Sequence, residues 1–211
     1  MAALQRWRLK GRQPATIFGR RDSLAQEPGG KTVAGPLSFP SDLPGLFRQL
    51  RPSELRRFRD HLLRLDPLSR RDRFNGAIDD DFIVAYANRC FADGTTVIVY
   101  VEGERVIGAA ELHERADLPR PTGEIAFSVE REWQRRGIGT ALFERLISAA
   151  RGFGYELLRI TTHPQNAAAR AIARKFGAHL RFEDGDTVGL ITLPPLVRPS
   201  APSHHFAGWG R

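Results

Sequence analysis

Apolar side chains recur along the chain in two rhythms. Leu55, Phe58, Leu62 and Leu65 fall three and four residues apart, which predicts an amphipathic helix over Ser53–Leu65 with Ser53 as its N-cap. Leu46–Leu50, just before it, reads as a short strand. Asp66-Pro67 brings a cap and a pre-set φ to the next helical turn. A further helix starts at Asp80, with Phe82, Ile83, Tyr86, Cys90 and Phe91 as its inward stripe. The period then shortens. Thr95–Val101, Arg105–His113 and Gly123–Val129 read as strands, the first two joined at Glu102-Gly103-Glu104 as a hairpin. Ile138, Leu142, Leu146 and Ala149 mark a helix over Gly137–Arg151. Strand Glu156–Thr162, helix Gln165–Phe176 and strands His179–Glu183 and Thr187–Leu193 complete the series. The elements neither alternate strictly nor segregate, so the pattern predicts an α/β fold with a mixed sheet and helices on both faces.

Outside residues 45–193 the periodicity fades. Residues 1–44 hold Pro14, Gly29, Gly30, Pro36, Pro40 and Pro44 and read as a mostly disordered basic tail. Residues 194–211, with Pro194, Pro195, Pro199 and Pro202, read as an irregular C-terminal tail. These tails also explain the net charge of +8. Residues 1–44 carry seven basic and three acidic side chains, residues 194–211 two basic and no acidic ones, and the 149 residues between them 23 basic against 21 acidic. The central domain is therefore nearly balanced, and a nucleic-acid partner would rest on tail charge alone. Met1–Arg21 has six basic and no acidic residues, a composition shared by transit peptides and solvated tails. No apolar run approaches the roughly 18 residues that a membrane-spanning helix needs. The single cysteine, Cys90, leaves no disulfide framework. A cytoplasmic protein with no membrane partner is the expectation.

The chemistry concentrates in Gly123-Glu-Ile-Ala-Phe-Ser-Val129 and the run that follows it, Gln134-Arg135-Arg136-Gly137-Ile138-Gly139-Thr140. A strand leads through a glycine turn into a helix whose first N–H groups are free and whose dipole end is positive. Such a turn suits a phosphate or pyrophosphate. It is not a P-loop, because no G-x-x-x-x-G-K-[ST] occurs. It departs from a dinucleotide fingerprint too, since Leu142 stands where a third glycine belongs and Thr161-Thr162-His163 where an acid is wanted. The pyrophosphate loop of an acyl-CoA enzyme is the third reading.

There the sequence resembles the GNAT superfamily of acetyl-CoA-dependent N-acetyltransferases, nearest to the GNAT domains of bacterial protein-lysine acetyltransferases. Gln134, Gly137 and Gly139 match the family's Gln/Arg-x-x-Gly-x-Gly/Ala signature. Asn166-Ala-Ala-Ala169, opening a helix that ends Arg174-Lys175-Phe176-Gly177, matches a second feature about 30 residues on. The resemblance covers residues 46–193. It implies a twisted mixed sheet whose central parallel strands, Gly123–Val129 and Glu156–Thr162, splay apart. Pantetheine would lie between them against the backbone of Phe127, Ser128 and Val129. The pyrophosphate would sit on the N–H groups from Arg135 to Thr140, through Arg136, Gly137, Ile138 and Gly139, with Asn166 reaching the pantetheine arm or the phosphates.

The implied activity is acetyl transfer from acetyl-CoA, as co-substrate, to an amine by direct attack in a ternary complex. The amine is a protein lysine, an N-terminus, a polyamine or a small amino compound, and no metal takes part. The Val129 N–H would polarise the thioester carbonyl, and Glu124, on the strand face of Ala126 and Ser128, would be the general base through a water. A structural pairing of Glu124 with an arginine is the rival reading. His163 is an alternative base. Ala173 stands where many members carry the tyrosine that protonates the thiolate, which also keeps open a non-catalytic acyl-CoA-binding module. Glu111 and His113 share a strand face that either lines an acceptor site or is solvated. Cys90 belongs to the core, Asp79-Asp80-Asp81 caps a helix, and His204-His205 lacks companion ligands.

Overall fold

The computed structural model describes residues 43–92 and 94–194. Most of both tails, His204-His205 included, lies outside the described residues. Seven strands form one sheet in the order β1-β2-β3-β4-β5-β7-β6. They are β1 (Leu46–Gln49), β2 (Thr96–Glu102), β3 (Arg105–Glu114), β4 (Thr122–Val129), β5 (Leu157–Thr162), β6 (His179–Glu183) and β7 (Asp186–Thr192). The chain's order dictates that arrangement. β2 turns into β3 through a two-residue connection at Gly103-Glu104, where Gly103 takes φ 56°. β4 and β5 are parallel and need a crossover, which the helix α4 (Ile138–Gly152) provides.

Helices cover both faces, as the mixed pattern predicts. α4 and α5 (Ala167–Lys175) pack on one face, where Leu142, Phe143 and Leu146 are fully buried with Ile107, Ile125 and Leu158. α1 (Leu55–Arg64), α2 (Pro67–Phe74) and α3 (Asp80–Ala92) cover the other face around Phe58, Leu62, Ile83 and Val99. Burying each such side chain contributes on the order of 1.5–3 kcal/mol. The stripes of α1 and α3 are the expected ones.

The start of α1 differs from expectation. Ser53 does not cap it: Pro52 opens a 3-10 turn over Pro52–Glu54, and α1 follows at Leu55. Proline lacks an N–H and fixes φ, so the chain enters helical geometry early. The Glu54 carboxylate then reaches back to accept the Arg51 N–H at 3.1 Å while holding Arg48 at 2.6 Å. Burial opposes charge there, but the Arg48 bond outweighs it and holds the Glu54 carboxyl down at about 2. Asp66 caps α2 as expected, accepting from the N–H groups of Leu68 and Ser69, and Asp79 caps α3 by accepting from Phe82 N–H.

Candidate active site

Pairing between β4 and β5 runs from Thr122–Leu157 to Ile125–Ile160 and goes no further. Beyond it β4 stays with β3 as far as Val129–Gly108, while β5 stays with β7 as far as Thr162–Thr187. Each strand follows its outer neighbour, and with the sheet's twist the two part. The expected splay is present, with its vertex at Ile125 and Ile160.

Ladder phase decides which backbone groups face the opening. Glu130 N–H donates to Ile107 O at 3.0 Å, so Ser128 and Ala126, in step with Glu130, turn their backbone groups to β3. Val129 and Phe127, out of step, turn theirs toward the opening. Ser128, expected among the backbone contacts, instead spends its backbone on β3. Its side chain lies under α1, with Oγ 2.9 Å from His61 Nε2. The Phe127 ring packs edge-on against Phe143 at 5.6 Å, on the α4 face.

Gln134 joins the end of β4 to the glycine turn. Its Nε2 donates to Val129 O at 3.0 Å and to Ser69 Oγ at 3.2 Å. Arg135 (φ 61°) and Gly137 (φ 82°) are both left-handed, and Gly137 caps α4. Left-handed residues beside right-handed ones turn successive N–H groups into one concavity. The first bond into the helix is Ala141 N–H to Gly137 O, so Ile138, Gly139 and Thr140 present N–H groups without intrahelical acceptors. A Cβ on Gly139 would stand 3.3 Å from Ile172 Cδ1. That close approach brings α5 against the turn. Arg135 and Arg136 are exposed, and the Arg136 guanidinium lies over the Trp133 ring at 4.7 Å. Asn166 caps α5, its Oδ1 accepting Ala169 N–H at 2.9 Å. Ala173 is buried in the α4–α5 core.

Glu124 sits at the vertex, on the face covered by α1–α3. Arg115 Nη1 donates to its Oε2 at 2.5 Å, Thr161 Oγ1 donates to its Oε1 at 3.2 Å, and Arg159 stands 3.8 Å away. Its side chain keeps 18% exposure, so it is held in place yet reachable. His163 uses Nδ1 to accept Gln165 N–H in the turn before α5.

Glu111 and His113 are not on a solvated face. Both are buried beneath α2 and α3, in a polar cluster with Arg73, Tyr86, Thr95 and Cys90. Arg73 donates to Glu111 Oε1 at 2.6 Å, and the Tyr86 hydroxyl donates to Oε2 at 2.5 Å. Burial opposes ionisation of Glu111, but the Arg73 charge and the His113 bond outweigh it and hold the carboxyl at about 2. Ligand atoms of Cys90, Glu111 and His113 lie within 4.8 Å of one another, a spacing a metal ion can use; Arg73 is the cation that Glu111 faces there. Burial pushes the Cys90 thiol well up, in keeping with a core residue.

Four residues of this face escaped sequence reasoning: His61, Glu130, Arg73 and Arg115. His61 left a faint signal, a polar residue on the inward stripe three after Phe58. Arg73 stands before the buried Phe74, but its partner Glu111 is 38 residues away. Long-range pairing of this kind leaves no local trace.

A family model described as the acetyltransferase (GNAT) family matches residues 58–178. The chain belongs to the GNAT acetyltransferase family. Solved GNAT proteins share its fold at low identity. The GNAT domain of S. lividans PAT superposes with a TM-score of 0.60 at 20% identity, covering 71% of this chain and 90% of that one. The Salmonella typhimurium protein yncA, solved with its cofactor acetyl-CoA, gives 0.54 at 20%, covering 75% and 99%. A ribosomal-protein-alanine N-acetyltransferase from Brucella melitensis gives 0.53 at 21%, covering 70% and 99%. Among the described residues no helix is long and apolar enough to cross a membrane.

Proposed function

We propose that this GNAT chain transfers an acetyl group from acetyl-CoA to an amine (a protein lysine, an N-terminus, a polyamine or a small amino compound) by direct attack in a ternary complex. The observation that carries the reading is the union of two features at one place. Phe127 and Val129 direct backbone polar groups into the β4–β5 opening, and the Arg135–Thr140 turn presents its N–H groups at the end of β4. A pantetheine arm hydrogen-bonds to the first, and a pyrophosphate is held by the second, with Arg135 and Arg136 adding charge and Asn166 offering its Nδ2 to the same ligand.

In this reading Val129 N–H receives the charge that develops on the thioester oxygen. Glu124 is the general base. It lies five residues before Val129, ~16 Å along a regular strand, so the proton reaches it through ordered water. Arg115 and Thr161 fix its carboxylate for that purpose. The test begins with calorimetric titration of acetyl-CoA and CoA, followed by thiol release against a panel of amines. Glu124→Gln lowers kcat and leaves CoA affinity near the wild-type value; unchanged turnover removes Glu124 from the role. Absence of CoA binding at near-millimolar ligand removes the whole reading.

A further inference from the structure

Beside the opening lies a constellation that acetyl transfer to an amine does not use. Ser128 Oγ is 2.9 Å from His61 Nε2, and His61 Nδ1 is 3.3 Å from Glu130 Oε1. Arg64 Nε donates to the same Glu130 oxygen at 3.0 Å, and Arg105 donates to the other. Burial opposes charge on Glu130, but the bonds from His61, Arg64 and Arg105 outweigh it and hold the carboxyl at about 2. Glu130 is therefore an acceptor only, so Nδ1 carries the imidazole proton and Nε2 offers its lone pair to the Ser128 hydroxyl. Burial itself lowers the His61 pKa and keeps the ring neutral. A serine donating to a histidine whose other nitrogen is oriented by a carboxylate is the arrangement that activates a nucleophile.

Position supports the same conclusion. Ser128 is on the splayed half of β4, beyond Ile125, and keeps 7% exposure, with His61 and Glu130 buried at 0% and 4%. The next residue, Val129, turns its N–H into the opening. In hydrolases whose nucleophile ends a strand, the N–H of the following residue is an oxyanion donor.

We propose that Ser128, His61 and Glu130 hydrolyse acetyl-CoA through an acetyl-serine when no amine is bound. The inference rests on the reading that acetyl-CoA lies along Phe127–Val129. Ser128 Oγ bonds to the thioester carbon while its proton passes to His61 Nε2, and Val129 N–H stabilises the oxyanion. The C–S bond breaks, and the thiolate takes the proton back from Nε2, a role no side chain at Ala173 can fill. Water then attacks the ester carbon and gives a proton to Nε2. The C–Oγ bond breaks, Oγ regains its proton, and acetate departs. The sum is acetyl-CoA and water to acetate and CoA.

The test incubates the full chain with acetyl-CoA and no amine, following free thiol and the mass of the acid-quenched peptide that contains Ser128. Expected are thiol release above the protein-free rate and an acetyl group on that peptide. Ser128→Ala and His61→Gln lower release by about a hundredfold or more, with CoA still bound. Glu130→Gln lowers kcat with little change in KM, which separates positioning of His61 from loss of fold. Ser128→Cys keeps a nucleophile of similar size and carries the acetyl label if the alanine variant does not fold; an unlabelled, CoA-binding cysteine variant overturns the proposal. So does a wild-type protein that binds acetyl-CoA with neither hydrolysis nor label, or an alanine variant that hydrolyses as fast. Failure to bind CoA at all sinks the acetyltransferase reading as well, so the two failures are distinguishable.

Discussion

Ile125 of β4 stands opposite Ile160 of β5, and among the described residues theirs is the pair at which the two strands part. Both side chains belong to the core on the α4 face, at 2% and 3% exposure. The site's features are set out around this pair. Glu124 lies one residue before it, Phe127 and Val129 beyond it, and the Arg135–Thr140 turn at the far end.

Gly137 is the most sensitive position of the turn. Its φ of 82° lies where an L side chain costs about 1–2 kcal/mol, and a β-branched one more. Gly137→Val is expected to lower the unfolding free energy by at least that amount and to abolish CoA binding. Gly139→Ala meets the tip of the Ile172 side chain at 3.3 Å, with Val129 and Phe127 at ordinary contact distance, so its stability stays close to wild type. Denaturant unfolding paired with calorimetry separates the two.

Arg73 and Glu111 form an ion pair with side-chain exposures of 6% and 0%. Removing one partner strands a buried charge, so Arg73→Met is expected to cost about 3–5 kcal/mol. Replacing both, Arg73→Met with Glu111→Met, restores much of the loss. A double-mutant cycle by urea unfolding gives the coupling directly.

Stability falls with acid in two stages. His61, facing Glu130, Arg64 and Glu111, has its pKa lowered by burial, so the unfolded chain takes up a proton near pH 6.5 that the native one refuses. Stability therefore declines below that pH. Glu54, Glu111 and Glu130 titrate at about 2 in the fold against 4.5 unfolded. Their contribution is complete above pH 4.5 and is lost as pH falls toward 2, because the unfolded state binds more protons throughout that window. His61→Gln is expected to flatten the first stage, and Glu111→Gln the second, in urea midpoints measured against pH.

Asp66 caps α2 and also faces Arg131 at 3.5 Å, near the end of β4. Asp66→Ala is expected to cost about 1 kcal/mol through the lost cap. Ser69, in that same first turn, accepts from Gln134, so a shift there reaches the glycine turn. Thermal unfolding measures the first effect, and CoA affinity the second.

The sequence by itself determined the elements and the turn. Apolar spacing at Leu55, Phe58 and Leu62, the hairpin glycine Gly103 and the glycines of Gln134–Thr140 act through neighbours a few residues apart, and those rules are local. The parting of β4 and β5 was legible only because the family resemblance implied it. Tertiary structure alone decided what each polar side chain meets. Glu111 and His113 looked equally suited to a wet face and to a site until α2 and α3 covered them. Glu124 met Arg115 and Thr161 only at the vertex. His61, Ser128 and Glu130, 67 and 69 residues apart along the chain, met when α1 settled on β4. Hydrogen bonds and charges act over a few ångströms of space, and only the packed chain sets which residues those ångströms join.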